Sequence, residues 1–350
     1  MSVSKLCILG CGGFIGSYIL DRVLADPVYT VCGVDVSSYK IQRHLDNPSF
    51  VYVNMDISDV TRLRPLVEGC DVVVSLAALC NPSLYNTAPL RVIENNFNQP
   101  LAIASMCAEM KKRLVHFSTC EVYGRTVESY VERNINGIPA AFNEDTTPYV
   151  LGPIHAQRWT YSCAKQLSER MIYAYGYEKG LEYTIVRPFN FIGPGMDYIP
   201  GIDGEGIPRV IACFMDSLMA GKPLKLVDGG HNMRTFTYID DAVDAIMAII
   251  NCPEKTKGMI FNIGNPQNET TIAGLAAKMR DIYESIRPQA PLCDIVPVTA
   301  EEFYGKGYED SDRRIPDISK ARELLGWTPH VSLDDALVKT ITGFANNYFL

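Results

Sequence analysis

The chain is 350 residues long, 47% hydrophobic and 21% charged, with a formal net charge of −8 at neutral pH. That length supports one large α/β domain or two modest ones sharing a core. The negative balance and the lack of any basic block exclude non-specific nucleic-acid binding, so an anionic ligand would be held by a few specific arginines.

Short β-rich runs alternate with helical patterns through the first half, which reads as parallel βαβ units. The first run, "KLCILG" (5–10), is a predicted buried strand, and a helix follows through "GSYILDRVLA". Glycines interrupt this apolar start, which has neither a basic leader nor a small-residue cleavage site, so no targeting segment is expected. "TVCGVD" (30–35), "SFVYVNMD" (49–56), "DVVVSLAA" (71–78) and "KRLVHFSTC" (112–120) are the next strands. A helix is predicted around 90–111, with Pro100 imposing a kink or a late start. A second helix, over 161–177, leads into the strand "YTIVRPFN" (183–190). Beyond residue 191 the pattern degrades. "GPGMDYIPGIDGEGIP" reads as a loop, "LKLVDGG" and "MIFNIGN" read as short strands among helices, and a helix over 333–347 ends the chain. The expected architecture is α/β: a doubly wound parallel sheet over residues 1–190, to which pieces near 235–262 return. A smaller, discontinuous C-terminal lobe is expected over 191–350.

Eleven cysteines occur without a single CxxC pair, and Cys7, Cys32 and Cys163 fall inside apolar patterns. This is the usage of a reducing compartment. With no run long enough to span a bilayer, the expectation is a cytoplasmic protein without a membrane partner. The five histidines are isolated, so no metal is expected.

Gly10, Gly13 and Gly16 stand at G-x-x-G-x-x-G spacing between a strand and a helix. Glycine there lets the backbone approach a pyrophosphate, which the helix N-terminus then faces. Alone the triplet is weak, since any tight strand–helix turn favours glycine. Asp35, ending the second strand, strengthens it: an acid there accepts bonds from a ribose 2′-hydroxyl and repels a 2′-phosphate, which points to NAD over NADP. Asp56 and Ile57, ending the third strand, would lie near the adenine. Tyr161 and Lys165 form a Tyr-x-x-x-Lys pair one helical turn apart. A lysine ammonium beside a phenol lowers its pKa and makes the phenolate a general base. Thr119 adds a hydroxyl at the carboxyl end of an inner strand, where ligands of such sheets bind.

In this order, glycine loop, Asp35, Thr119 and Tyr161–Lys165 resemble the extended short-chain dehydrogenase/reductase superfamily, whose Rossmann-like fold carries sugar-nucleotide epimerases, dehydratases and decarboxylases. The resemblance implies that Phe14, Ile15, Leu76, Ala77 and Asn96 join the cofactor site. It also implies a homodimer built through the helices at 90–111 and 161–177. The 4,6-dehydratases carry an Asp-Glu pair after the threonine; this chain has Cys120-Glu121 instead. The UDP-glucuronate decarboxylases have Thr-Ser-Glu and a remote arginine, and "GKGYEDSDRRIPD" (305–317) resembles their arginine segment, with Arg314 and Tyr308 at the matching positions.

A closer resemblance, from Leu6 to Trp327, is to the plant UDP-apiose/UDP-xylose synthases. It is carried by "HFSTCEVYG", "AQRWTYSCAKQL", the long "GMDYIPGIDG" loop and the segment before Arg314. Cys80 and Cys120 both match cysteines of that family, whereas Cys11 and Gly12 are a departure to which no weight attaches. The implied chemistry is C4 oxidation of UDP-glucuronate by NAD, decarboxylation, and ring contraction to UDP-apiose, with UDP-xylose as co-product. Tyr161, Lys165, Thr119, Cys120, Glu121, Cys80 and Arg314 would carry it. Tyr85, Arg158, Asn190, Arg209, Lys225, Arg234, Tyr308 and Arg314 would hold the substrate. A plain UDP-glucuronate decarboxylase and a catalytically silent NAD-binding regulator remain the alternative readings.

Overall fold

The computed structural model describes residues 4–130, 134–135, 138–199, 206–304 and 309–349. In chain order its core is β1 (Ser4–Leu9), α1 (Phe14–Leu24), β2 (Tyr29–Asp35), β3 (Phe50–Asn54), α2 (Val60–Glu68), β4 (Val72–Ser75), α3 (Gln99–Glu109), β5 (Arg113–Phe117), α4 (Thr160–Lys179), β6 (Tyr183–Pro188), α5 (Ile239–Asn251) and β7 (Met259–Ile263). The seven strands form one parallel sheet in the order β7-β6-β5-β4-β1-β2-β3.

The continuous apolar runs of the sequence follow from burial of the sheet on both faces. Every residue of β4 and β5 is buried. Along β1 the side chains alternate: Leu6 and Ile8 pack with residues of α1 and α5, while Cys7 and Leu9 pack with residues of α2, α3 and α4. Strand order reverses around β1, which lies between β2 and β4. A crevice opens at such a switch point beyond the carboxyl ends of the strands.

The break expected at Pro100 takes the form of a wide turn. A short helix, Pro89–Ile93, passes through a π turn at Glu94–Asn98 directly into α3. Pro100 has no N–H for the carbonyl four residues back, and the widened turn before it absorbs that gap. The strand predicted over 183–190 stops at Pro188 because Asn190 adopts a positive φ of 43°. The chain then re-pairs at Phe191–Ile192 with Thr237–Tyr238.

Beyond the sheet, helix Val210–Ala220 and a parallel pair, Leu224–Val227 with Ile295–Val298, build the lobe. A three-stranded sheet there places Met233–Thr235 between Glu269–Thr271 and Arg313–Arg314, with Arg234 in register with Arg314. The closing helix runs Leu333–Phe349. Among the described residues no helix is long and apolar enough to cross a membrane.

Candidate active site

A cleft of about 530 Å³ opens at the carboxyl ends of β1, β4 and β5. Its walls include ten residues expected at a dinucleotide: Gly10, Gly13, Phe14, Ile15, Gly16, Asp35, Asp56, Ile57, Leu76 and Ala77. Gly10 has φ +93°, and a Cβ there would lie 2.8 Å from the Ala77 nitrogen; one on Gly16 would lie 2.1 Å from the Gly10 carbonyl oxygen. Gly12 is as constrained, for a Cβ would meet the Ser37 carbonyl at 1.9 Å. Its N–H donates to Asp35 Oδ2 at 2.9 Å. The departure at Gly12 therefore has structural weight: it lets the glycine loop close onto Asp35. Burial raises the Asp35 carboxyl, and backbone N–H groups led by Ser37 and Gly12 partly oppose it. The bare amino end of α1, with Gly13 as its cap, and the acid ending β2 fit a pyrophosphate and a ribose hydroxyl respectively.

Asn96 sits differently from the expectation. Fully buried and not among the cleft-lining residues, it donates from Nδ2 to the carbonyls of Leu79 (2.9 Å) and Val92 (2.8 Å). It supports the wall of the cleft from behind.

Cys80, Thr119, Cys120, Glu121, Tyr161, Lys165, Tyr85 and Arg314 also line this cleft. The loop after β4 supplies Cys80, and the turn after β5 supplies Thr119 to Glu121, with Thr119 Oγ1 accepting from the Glu121 N–H at 3.2 Å. Lys165 Nζ donates to the Phe117 carbonyl at 2.9 Å, and burial pulls its pKa down to about 8. Tyr161 stacks on Tyr85, with ring centroids 5.5 Å apart and planes 7° from parallel. For Tyr161, burial outweighs any neighbouring charge. Burial pushes Tyr161 well above its ordinary value, Cys80 and Glu121 push the same way, and a hydrogen bond with Thr119 opposes them. Both groups lie in the interior, and Lys165, which gives one of its three N–H donors to the Phe117 carbonyl, has lost much of its own proton affinity there.

The two thiols differ in setting. Cys80 is open to the cleft whereas Cys120 is buried. Burial inside the site raises both. Arg209 and Lys165 oppose this at Cys80, and Arg314 opposes it at Cys120.

Next to the thiols lies a charge cluster of buried arginines around two partly buried carboxylates. Arg158 grips Glu121 through two hydrogen bonds of 2.6 and 2.9 Å, and Arg314 Nη1 reaches the same carboxylate at 3.4 Å. Burial alone would raise Glu121, but Arg158 and Arg314 more than offset it and hold the carboxyl below its usual value. Asp310 is the second hub: it accepts from Arg234 at 2.7 Å and from Arg314, with Arg158 at 3.6 Å. Burial notwithstanding, Arg234, Arg314 and Arg158 hold Asp310 far below the carboxylate range. Sequence reasoning passed over Asp310; its signal was the i,i+4 spacing to Arg314.

A second cavity of about 200 Å³ lies against the lobe, where Lys225, Arg234, Arg158 and Asp310 line it. Glu121, Asn190, Phe191, Arg209 and Arg314 line both cavities, so the two meet. Asn190 Nδ2 donates to the Thr235 carbonyl at 2.8 Å, and Arg209 Nε donates to Asp197 at 3.0 Å. Tyr308 lies outside the described residues. Among the described residues no group of His, Cys, Asp or Glu could hold a metal ion.

The model of the NAD dependent epimerase/dehydratase family matches residues 6–264. The chain belongs to that family. Within it, the chain is 46% identical to a UDP-D-apiose/UDP-D-xylose synthase of Oryza sativa subsp. japonica, over 96% of this chain and 88% of the rice protein. It is 47% identical to UDP-D-apiose/UDP-D-xylose synthase 1 of Arabidopsis thaliana, over 96% and 90%. The PbgP3 protein of Burkholderia pseudomallei superposes with a TM-score of 0.84 at 33% identity, covering 99% of this chain and 97% of its own. A UDP-glucuronic acid 4-epimerase of Bacillus cereus, solved with UDP-glucuronic acid and NAD, has a TM-score of 0.79 at 25% identity, covering 98% and 100%. That family is NAD dependent, and in this chain the glycine loop and Asp35 form the cleft wall that suits NAD.

Proposed function

We propose that the protein converts UDP-glucuronate to UDP-apiose, with UDP-xylose as co-product, and uses NAD as its cofactor. One observation carries the reading. In a chain 46% identical to a UDP-D-apiose/UDP-D-xylose synthase, Cys80 and Cys120 line the same cleft as Tyr161, Glu121 and Arg314.

Gly10, Gly13, Gly16 and Asp35 would hold the dinucleotide, with Asp56, Ile57, Leu76 and Ala77 along its adenosine and ribose. When bound, NAD would supply two-electron redox chemistry, taking a hydride at C4 of the sugar and returning it to the C4 ketone for UDP-xylose or to the exocyclic C3 aldehyde for UDP-apiose, and a positive charge that favours the ionised form of Tyr161. Tyr161 takes the proton of the C4 hydroxyl, Thr119 bonds the same oxygen, and Lys165 holds the strand end on which Thr119 rides. Arg158 and Arg314 orient the C5 carboxylate. As it leaves as CO₂, the pair of its C–C bond passes into the C4 ketone as an enolate, and Glu121 relays the proton that C5 regains. Arg209, Arg234 and Lys225 face the diphosphate and nucleoside, with Arg suited to bidentate contact.

The thiols serve the ring contraction. The C2 hydroxyl gives up a proton, the C2–C3 bond breaks with its pair entering the C3–C4 enediolate, and C2 closes onto C4, leaving C3 as an aldehyde. Cys80 and Cys120, both held as thiols, can donate to the oxygens that gain charge. Lys165 and Arg209 near Cys80, and Arg314 near Cys120, favour the thiolates that take protons back. Residues 1–190, with the returning α5–β7 segment, would form the cofactor-binding part, and the remainder the sugar-nucleotide lobe.

A homodimer is proposed through α4 and the helices that precede α3. Leu90, Ile93, Leu167, Tyr173 and Tyr177 present exposed apolar side chains there, and light scattering on the purified protein checks it. Eleven free cysteines support a reducing, cytoplasmic setting. The deciding experiment is incubation with UDP-glucuronate and NAD⁺, with products resolved by NMR. UDP-apiose beside UDP-xylose supports the reading, unbranched products alone return the protein to the decarboxylases, and no turnover leaves a silent NAD-binding protein.

A further inference from the structure

Among the described residues, three contacts that hold the wall segment carrying Cys80 stand out. Asn96 donates to the Leu79 carbonyl at 2.9 Å, and the Tyr85 hydroxyl donates to the Cys80 carbonyl at 3.4 Å. The third contact comes from far away in the chain: Asn81 Nδ2 donates to the hydroxyl oxygen of Tyr198 at 2.9 Å, across 117 positions. Cys80 and Pro82 line the cleft and Asn81 between them does not, so its amide works from outside the cavity.

The loop bearing Tyr198 is itself firmly held. Tyr18 donates to the Pro194 carbonyl at 3.0 Å. Asp197, in the left-handed region at φ 57°, accepts from both the backbone N–H and Nε of Arg209, at 2.9 and 3.0 Å. Met196 and Ile199, on either side, are buried. Tyr198 is thus a fixed post that reaches Cys80 through Asn81, and its loop is tied to Arg209, which lines both cavities.

We infer that the Tyr198–Asn81 contact positions the Cys80 thiol for ring contraction, and so sets how much of the shared 4-keto intermediate becomes branched sugar. The inference rests on the proposed function. Oxidation and CO₂ loss do not use Cys80, so the contact acts on partition between products and not on substrate consumption. Both residues are positioning residues, since neither lines the cleft.

The test is Tyr198→Phe, Asn81→Ala and the double variant, each assayed with UDP-glucuronate and NAD⁺ by NMR, with melting temperature recorded. Expected is a fall of about fivefold in the UDP-apiose to UDP-xylose ratio, the population change that one neutral hydrogen bond supports. UDP-glucuronate consumption stays within about twofold. The double variant falls by less than the sum of the two single ones, because both single variants remove the shared contact. Cys80 labelling by a maleimide changes in rate in step with the ratio. An unchanged ratio in Tyr198→Phe with wild-type melting overturns the inference, as do additive losses in the double variant or a parallel fall of both products. A wild type that makes no branched sugar overturns the functional reading itself, and the inference with it.

Discussion

Replacing Lys165 by methionine should make the protein inactive and more stable. Lys165 is 1% exposed, and its ammonium donates to one carbonyl, that of Phe117. Burial lowers its pKa from 10.5 to about 8. At 1.36 kcal/mol for each tenfold change in proton affinity, keeping this lysine charged in the fold costs roughly 3 kcal/mol at neutral pH. Methionine has a similar length without the charge. It leaves the Phe117 carbonyl without that partner, at a cost of about 1 kcal/mol, so a net gain of about 2 kcal/mol is expected at pH 7. Below about pH 8 both folded and unfolded chains carry the charge and the full penalty is present. Between 8 and 10.5 only the unfolded chain is charged, and the penalty fades as pH rises. The advantage of Lys165→Met should therefore shrink to about zero near pH 9.5. Urea unfolding of wild type and variant in parallel at pH 7.0, 8.5 and 9.5 measures it, with the comparison made in a Cys80→Ser background because Lys165 also acts on that thiol; titrating groups that do not interact with Lys165 cancel in the difference. A variant less stable than wild type at pH 7, or a difference that ignores pH, would refute the reasoning.

Tyr161→Phe should lower turnover by about a hundredfold or more with NAD affinity nearly unchanged, as read by steady-state rates and NAD titration. Asp35→Ala should narrow the preference for NAD⁺ over NADP⁺, because the carboxylate that repels a 2′-phosphate is gone; equal affinities in the wild type would remove the claim. Cys80→Ala should abolish UDP-apiose while CO₂ release continues, and an unchanged product ratio would end the proton-carrier role.

The sheet was legible because its strands are buried on both faces and so read as unbroken apolar runs bounded by glycine and aspartate. Residues that bear motifs were legible for the same reason that motifs exist: Gly10 and Gly16 tolerate no Cβ, and Tyr161 and Lys165 share a helix face. What spacing could not deliver was the setting of those residues. That Lys165 donates to a backbone carbonyl depends on where β5 ends, and that Asn96 bonds the Leu79 and Val92 carbonyls behind the cleft wall depends on how the loop after β4 folds back. Asp310 was hidden because its partners come from three places. Arg158 precedes α4, Arg234 lies on the middle strand of the lobe sheet, and Arg314 is in register beside it. Gly12 was passed over because the motif counts its neighbours and leaves its position free, while the close approach of Ser37 does not.

The two thiols illustrate how structure divides what sequence treats alike. Cys80 and Cys120 each follow a strand of the sheet and each faces the cleft, so their pairing suggested a common purpose. Cys120, however, packs with Val122, Tyr123, Phe142 and Phe189 in a small buried cluster, whereas Cys80 belongs to no such cluster and is open to the cleft. Removing the sulfur of Cys120 leaves a void among aromatic rings, with a loss of roughly 1 kcal/mol or more, and disturbs a thiol beside Arg314 at once. Removing that of Cys80 leaves the core as it was. A change in product ratio at Cys80 therefore reads chemistry, and the same change at Cys120 reads chemistry and packing together. It follows that Cys80 is the position at which the branching reaction can be separated from the decarboxylation that both products share.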